Sequence, residues 1–180
     1  MAKVEKLAPF ILKWEGGFSN DPDDSGGATM KGITLNTFKA YRKEKGLPVP
    51  TVNDLKSISD QEWTAILKSK YWDKWQADQI NNQPIANLLV GWGWGSGPVT
   101  SIQQFQKLLG LKQDGVVGNI TLSAINDHPD QNELFDKIWI ARKDFFVNIC
   151  INKPSQLKFL KGWLNRLHDN IDYCFNRSLK

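Results

Sequence analysis

Histidine and cysteine, the residues behind much metal and nucleophilic chemistry, are nearly missing from this sequence. There are two of each, and they do not cluster. His128 and His168 stand forty positions apart, and both read as surface residues. A zinc site needs three or four such ligands brought together, so metal-assisted hydrolysis is excluded on inventory. Two cysteines make no disulfide framework. Cys150 sits inside the apolar run Phe145-Phe146-Val147-Asn148-Ile149-Cys150-Ile151, and both thiols are expected to be reduced core residues. No Gly-x-Ser-x-Gly elbow occurs. The alternating glycines Gly91, Gly93, Gly95 and Gly97 have the wrong spacing for a phosphate loop. Asp21, Asp23 and Ser25 alternate like the start of a calcium loop, but Gly32 stands where the twelfth-position Glu should be. No metal or cofactor is expected. Apolar runs of about 18 residues, needed to span a membrane, are lacking. The start, Met1-Ala2-Lys3-Val4-Glu5-Lys6, has no signal-peptide core.

What is abundant is tryptophan, with eight in 180 residues. Large flat rings suit a core, and they also suit the faces of pyranose sugars. The net charge is +4 and the isoelectric point about 9.0, which favours polyanionic partners. The Lys and Arg residues are scattered rather than clustered, so nucleic acid is not the expected partner.

Strand signals are confined to Gly115-Val116-Val117, and helical periodicity runs nearly everywhere else. Val4, Leu7, Ala8, Ile11 and Leu12 predict a helix to Trp14, with Pro9 at a first turn or kink and Gly16-Gly17 as the stop. Residues 18–32 read as an irregular loop. Thr34 is placed to cap a helix to about Glu44. Val52-Asn53-Asp54 and Ser59-Asp60-Gln61-Glu62 both look like helix starts, the second a Ser-x-x-Glu capping box leading to Trp72. Further helices are predicted over 79–94, 99–109, 119–127, 132–151 and 154–176. In the last, Leu157, Leu160, Leu164, Leu167 and Ile171 form one apolar face. Gly95-Ser96-Gly97-Pro98 marks a seam. It divides the chain into regions 1–96 and 97–180, expected to share one compact all-α unit.

Glu15 is the most informative single residue. It closes an apolar helical run, and the helix dipole disfavours a negative charge there by roughly 0.3–1 kcal/mol. That field, and the apolar neighbour Trp14, favour the protonated acid. Glycoside hydrolysis needs such an acid to protonate the leaving oxygen, with a second carboxylate to activate water or stabilise positive charge. Asp24 follows nine residues later, in a polar loop able to fold back, and Thr29 could position a water. Asp21 and Asp23 compete for the second role. All three aspartates also suit plain turn formation, with Glu15 a solvated surface charge.

The ordered string Trp14-Glu15-Gly16-Gly17-Phe18, Asn20-Asp21-Pro22-x-Asp24-x-Gly26-Gly27-x-Thr29, Gly32-Ile33-Thr34 resembles the N-terminal signature of glycoside hydrolase family 108. These are phage and bacterial N-acetylmuramidases, some labelled secretion activators. The resemblance implies a lysozyme-like fold and maps the family's proposed catalytic Glu onto Glu15. The Glu, Asp, Thr order also resembles that of phage-type lysozymes, which supports Asp24. Further on, Ile102-Gln103-Gln104-Phe105-Gln106-x-x-Leu109-Gly110-Leu111-x-x-Asp114-Gly115-x-x-Gly118-x-x-Thr121, with the ending Phe159-Leu160-Lys161-Gly162-Trp163-Leu164-Asn165-Arg166, resembles a predicted peptidoglycan-binding domain. The family's Asp and Asn near an Asn-Ser-Gly-Pro stretch are replaced here by Val90-Gly91-Trp92-Gly93-Trp94-Gly95-Ser96-Gly97-Pro98.

Taken together, the resemblances imply a muramidase that cleaves β-1,4 bonds of peptidoglycan. Glu15 is the expected acid, with Asp24 and Thr29 beside it. Asp21, Trp92, Trp94 and Ser96 are candidates to hold the glycan. Trp92 and Trp94 are two apart on a helix, so at most one of them faces the cleft. A lytic transglycosylase and a non-catalytic wall-binding or secretion-associated factor are the alternatives. The chain is expected to be a monomer without membrane insertion, made in the cytoplasm. A holin or another export route would bring it to the wall.

Overall fold

A computed structural model describes residues 1–20 and 27–175. Asp21, Asp23 and Asp24 lie outside the described residues. Within them the chain is mainly α, with one two-stranded sheet. The expected first helix is split: a 3-10 turn, Val4–Lys6, precedes α1 (Ala8–Trp14). Pro9 falls in the first turn of α1, where its missing N–H leaves no partner unmet.

The segment read as a loop contains a hairpin. β1 (Thr29–Met30) pairs antiparallel with β2 (Ile33–Thr34), Thr29 opposite Thr34 and Met30 opposite Ile33. Lys31 and Gly32 turn the chain with φ of 48° and 75°, the two left-handed residues of a type I′ hairpin turn.

Thr34 accepts the Thr37 backbone N–H and starts α2 (Leu35–Glu44). Thr51 and Asp54 form a full capping box at the head of α3 (Val52–Lys56). Ser59 starts α4 (Asp60–Leu67) by accepting the Glu62 N–H. The reciprocal half of that box is not made, because the Glu62 carboxylate takes a bidentate bond from Arg42 at 2.9 and 3.1 Å. A single π-helical turn, Lys68–Trp72, continues α4. The next long helix, α5 (Gln83–Ser96), starts at the Asn82 cap, later than its apolar pattern predicts, because Ala77–Gln79 form a separate 3-10 turn. Gly97 breaks α5 from α6 (Pro98–Leu108). The two helices pack closely at Gly93, where a Cβ would meet Ser101 Oγ at 3.0 Å and Pro98 Cα at 3.3 Å. Then come α7 (Asn119–Asn126), α8 (Gln131–Asn152) and α9 (Leu157–Phe175). Gly115-Val116-Val117 forms no strand; a turn stands there instead.

One apolar core runs through both regions, from Leu7 and Ile11 through Phe38, Trp63 and Leu88 to Phe105, Ile138 and Leu167. Trp63, Trp72, Trp75 and Trp92 are fully buried in it. Each removes roughly 200 Å² from water, worth roughly 5 kcal/mol by area. Half of the eight tryptophans are therefore interior core residues, and the other four pack against that core. Both cysteines are free thiols. Burial pushes the Cys174 thiol up to about 11, against the opposing contact from the Asn87 amide. No helix among the described residues is long and apolar enough to cross a membrane. No group of three or more metal-ligating side chains occurs among the described residues either.

Candidate active site

Glu15 caps the C-terminal end of α1 in extended conformation, its N–H bonded to Ile11 and Leu12 carbonyls. The chain leaves the helix there, and the side chain turns inward, with 15% of its surface exposed. Two donors converge on one carboxylate oxygen. Trp94 Nε1, from α5, donates to Oε1 at 2.8 Å. Arg166 Nη1, from α9, donates to the same Oε1 at 2.8 Å. No donor among the described residues reaches Oε2.

Oε2 lies against the hairpin turn. A Cβ on Gly32 would sit 2.5 Å from Oε2 and 2.8 Å from Trp94 Cζ2. Gly32 is thus required twice, once for its positive φ and once for the carboxyl beside it. The hairpin is anchored there by Trp63, whose Nε1 donates to the Lys31 carbonyl at 2.9 Å. Trp94 is packed between Trp63 and Tyr71, with ring centroids at 5.3 and 4.7 Å. Burial, and then the charge of Glu15, raise the Tyr71 phenol above its ordinary range. The π-helical turn that carries Tyr71 thus brings a phenol to the same corner.

Trp14, the apolar neighbour expected beside Glu15, has a polar tie of its own: its Nε1 donates to Asp169 of α9 at 2.6 Å. Lys13 joins the same aspartate at 2.8 Å. The last turn of α1 is therefore clasped by α9 at two points, Asp169 on Lys13 and Trp14, and Arg166 on Glu15. A second guanidinium, Arg142 of α8, is near enough to feel the charge of Arg166. It is buried and donates to the carbonyls of Leu88 and Gly91 at 3.2 and 2.9 Å. Desolvation, with the neighbouring Arg166 charge, pulls Arg142 down to about 9, so it is still a cation at neutral pH.

The other expected site residues divide. Thr29 is in the hairpin, its Oγ1 donating to the Gly27 carbonyl at 3.1 Å and its backbone paired with Ser19. No bond links it to Glu15. Trp94 is at the site, as a donor to Glu15. Trp92 is fully buried, edge-on to Phe145 at 5.6 Å, and offers no surface to a glycan. Ser96 is half-buried at the end of α5. Asp21 and Asp24 are outside the described residues. Arg166 and Tyr71 were not singled out from sequence as site residues. Arg166 was visible only as the last letter of a helix motif.

The glycosyl hydrolase 108 model matches residues 8–97. A second model, described as a predicted peptidoglycan domain, matches residues 100–168. The chain is similar to a solved structure of Brucella abortus SagA at 26% identity and a TM-score of 0.77, over 98% of this chain and 96% of that one. Comparison with curated proteins returns no match. With one family model over half its length and a wall-directed region completing it, this chain belongs to the glycosyl hydrolase 108 family and is a glycoside hydrolase that acts on peptidoglycan.

Proposed function

We propose that the protein is an N-acetylmuramidase, cleaving the β-1,4 bond between N-acetylmuramic acid and N-acetylglucosamine with Glu15 as general acid. One observation carries the reading. Glu15 is held at a helix end by two donors on Oε1, leaving Oε2, beside a glycine, with no donor among the described residues. A carboxyl so oriented presents one oxygen to a ligand. Glu15 transfers its proton from Oε2 to the bridging oxygen. The bond from that oxygen to C1 of the muramic acid breaks, and positive charge develops on C1 and the ring oxygen. Water then adds to C1 and gives up a proton to a carboxylate. Asp24 is the preferred second carboxylate, with Asp21 and Asp23 its competitors and Thr29 a water-positioning hydroxyl. Their distance from Glu15 decides between retention and inversion. Trp94, already fixed by its bond to Glu15, lines the same corner. On this reading the protein works at the cell wall after release or export, as a monomer.

Glu15→Gln keeps the side chain's shape and removes the transferable proton. Release of reducing ends from purified peptidoglycan should fall by about 10²–10⁴-fold, with the circular dichroism spectrum unchanged. Undiminished release by a folded variant rejects the assignment. Mass spectrometry of the products adds a second test. Hydrolysis leaves a reducing muramic acid, whereas an anhydro end, lighter by one water, would make the enzyme a lytic transglycosylase.

A further inference from the structure

We propose that Arg166, supplied by α9 from the region matching the predicted peptidoglycan domain, is a positioning residue for Glu15. This rests on Glu15 being the acid. The pair is close, 2.8 Å, and well shielded, with 19% and 15% of the two side chains exposed. Docking of α9 on α1 does not require it. Asp169, three residues on, already binds Trp14 and Lys13.

The surroundings of Arg166 oppose folding. Its Nε and Nη2 are buried without partners among the described residues, as is Nε of Arg142. The two guanidiniums also repel each other. Buried donors without acceptors, next to a like charge, destabilise a fold. What the arrangement gains is at Oε1. An oxygen that accepts two N–H bonds is a poor seat for a proton, so the acidic proton is directed to Oε2. Arg166 and Trp94 come from different helices, so together they also fix the plane of the carboxyl. Arg142, tied to two carbonyls of α5, is a fixed like charge in the neighbourhood of Arg166. The wall-directed region is on this account part of the catalytic corner and not only a tether.

The test uses the full chain carrying Arg166→Met, Arg166→Lys, Glu15→Gln, and the double Glu15→Gln with Arg166→Met. Reducing-end release from purified peptidoglycan is measured with substrate varied, and pelleting with peptidoglycan measures binding. Arg166→Met is expected to lower kcat about 10–100-fold with KM within about twofold. Arg166→Lys should recover part of that loss. The double variant should be no slower than Glu15→Gln alone, since a residue that acts through Glu15 has nothing left to position. It should also melt no lower than Glu15→Gln, because orphaned donors have been removed.

An unchanged kcat in Arg166→Met overturns the proposal, as does a loss confined to KM or binding. A further loss on the Glu15→Gln background also overturns it. If Arg166→Met does not fold, Arg166→Gln against Arg166→Lys makes the same comparison. Full activity in Glu15→Gln would instead reject the acid assignment, and the proposal with it. Loss in Glu15→Gln beside a normal Arg166→Met rejects the positioning role alone.

Discussion

Two corners of the molecule are rich in the same materials, a carboxylate, a positive-φ glycine and an amide or indole donor. They differ in what stands beside the carboxylate. At the Asp114 corner two donors share one oxygen, Oδ1, while Oδ2 faces the exposed Lys112 ammonium at 3.8 Å. Gln106, buried in α6, donates to Asp114 Oδ1 at 2.8 Å and to the Val116 carbonyl at 3.0 Å, and accepts the Gly115 N–H at 2.9 Å. Asp114 also accepts the Val116 N–H at 3.1 Å. The Gln106 bond, with the backbone one, holds its carboxyl below the usual range. At the Glu15 corner one oxygen is doubly bonded and the other has no donor among the described residues. Three nitrogens of Arg166 and Arg142 are buried without a partner among the described residues. The carboxyls thus share one bonding pattern, and what sets Glu15 apart is the shielded, underbonded guanidinium paired with it, where Asp114 has a backbone turn and an exposed lysine.

The sharpest way to break that contrast is Gly32→Val. A β-branched residue at φ 75° is strained, and its Cβ would displace Glu15 Oε2 and Trp94. Peptidoglycan clearing should fall about a hundredfold or more, and an unaltered rate would show that the close approach to Oε2 is irrelevant. At the opposite corner, Gln106→Leu strands the Gly115 N–H and the Val116 carbonyl. Denaturant titration should register a loss of about 2–3 kcal/mol, while turnover per folded molecule stays the same. A selective loss of turnover would make the Asp114 turn more than structural. Trp94→Phe removes one of the two Oε1 donors but keeps a ring against Tyr71. Turnover should drop about tenfold, or about 1.4 kcal/mol, and steady-state kinetics at saturating substrate measures it.

The smallest expected effect is that of Asp169→Asn, about 1 kcal/mol at neutral pH. Burial raises the Asp169 carboxyl, but the bonds from Lys13 and Trp14 outweigh it, and the group lies below its ordinary value. A depressed carboxylate contributes its full stability above the unfolded value, near 3.9. That contribution disappears as pH falls through the lower folded value. Melting curves of wild type and Asp169→Asn should therefore differ at neutral pH and converge in acid; a constant gap would contradict the clasp.

Local features were legible in the sequence and distant pairings were not. The Thr34 and Ser59 caps, the Gly97 break and the periodicity of α6 to α9 depend on neighbours within a turn or two, and they stand where the pattern put them. The β1–β2 hairpin was missed although Lys31-Gly32 between Met30 and Ile33 carried its signal; the surrounding Asp, Ser and Gly residues masked so short a pair of strands. That Trp92 and Trp94 point in different directions followed from their spacing. Which of them meets Glu15 depended on how α5 rolls against α1 and α9. The two donors to Glu15 come from 79 and 151 residues away, and no periodicity reports on such a distance. Gln106 was likewise quoted within a motif, its role set by a turn that folds back eight to ten residues later.

The pairing of residue 15 with residue 166 also sets an order of events. A chain emerging from the ribosome exposes Glu15 early, yet the arginine that grips it is made only with α9. Closing so long a loop is among the slower contacts available to a helical chain. Until then the corner has its carboxyl and its tryptophan but lacks the grip, so a truncated or half-made chain is an unfinished hydrolase.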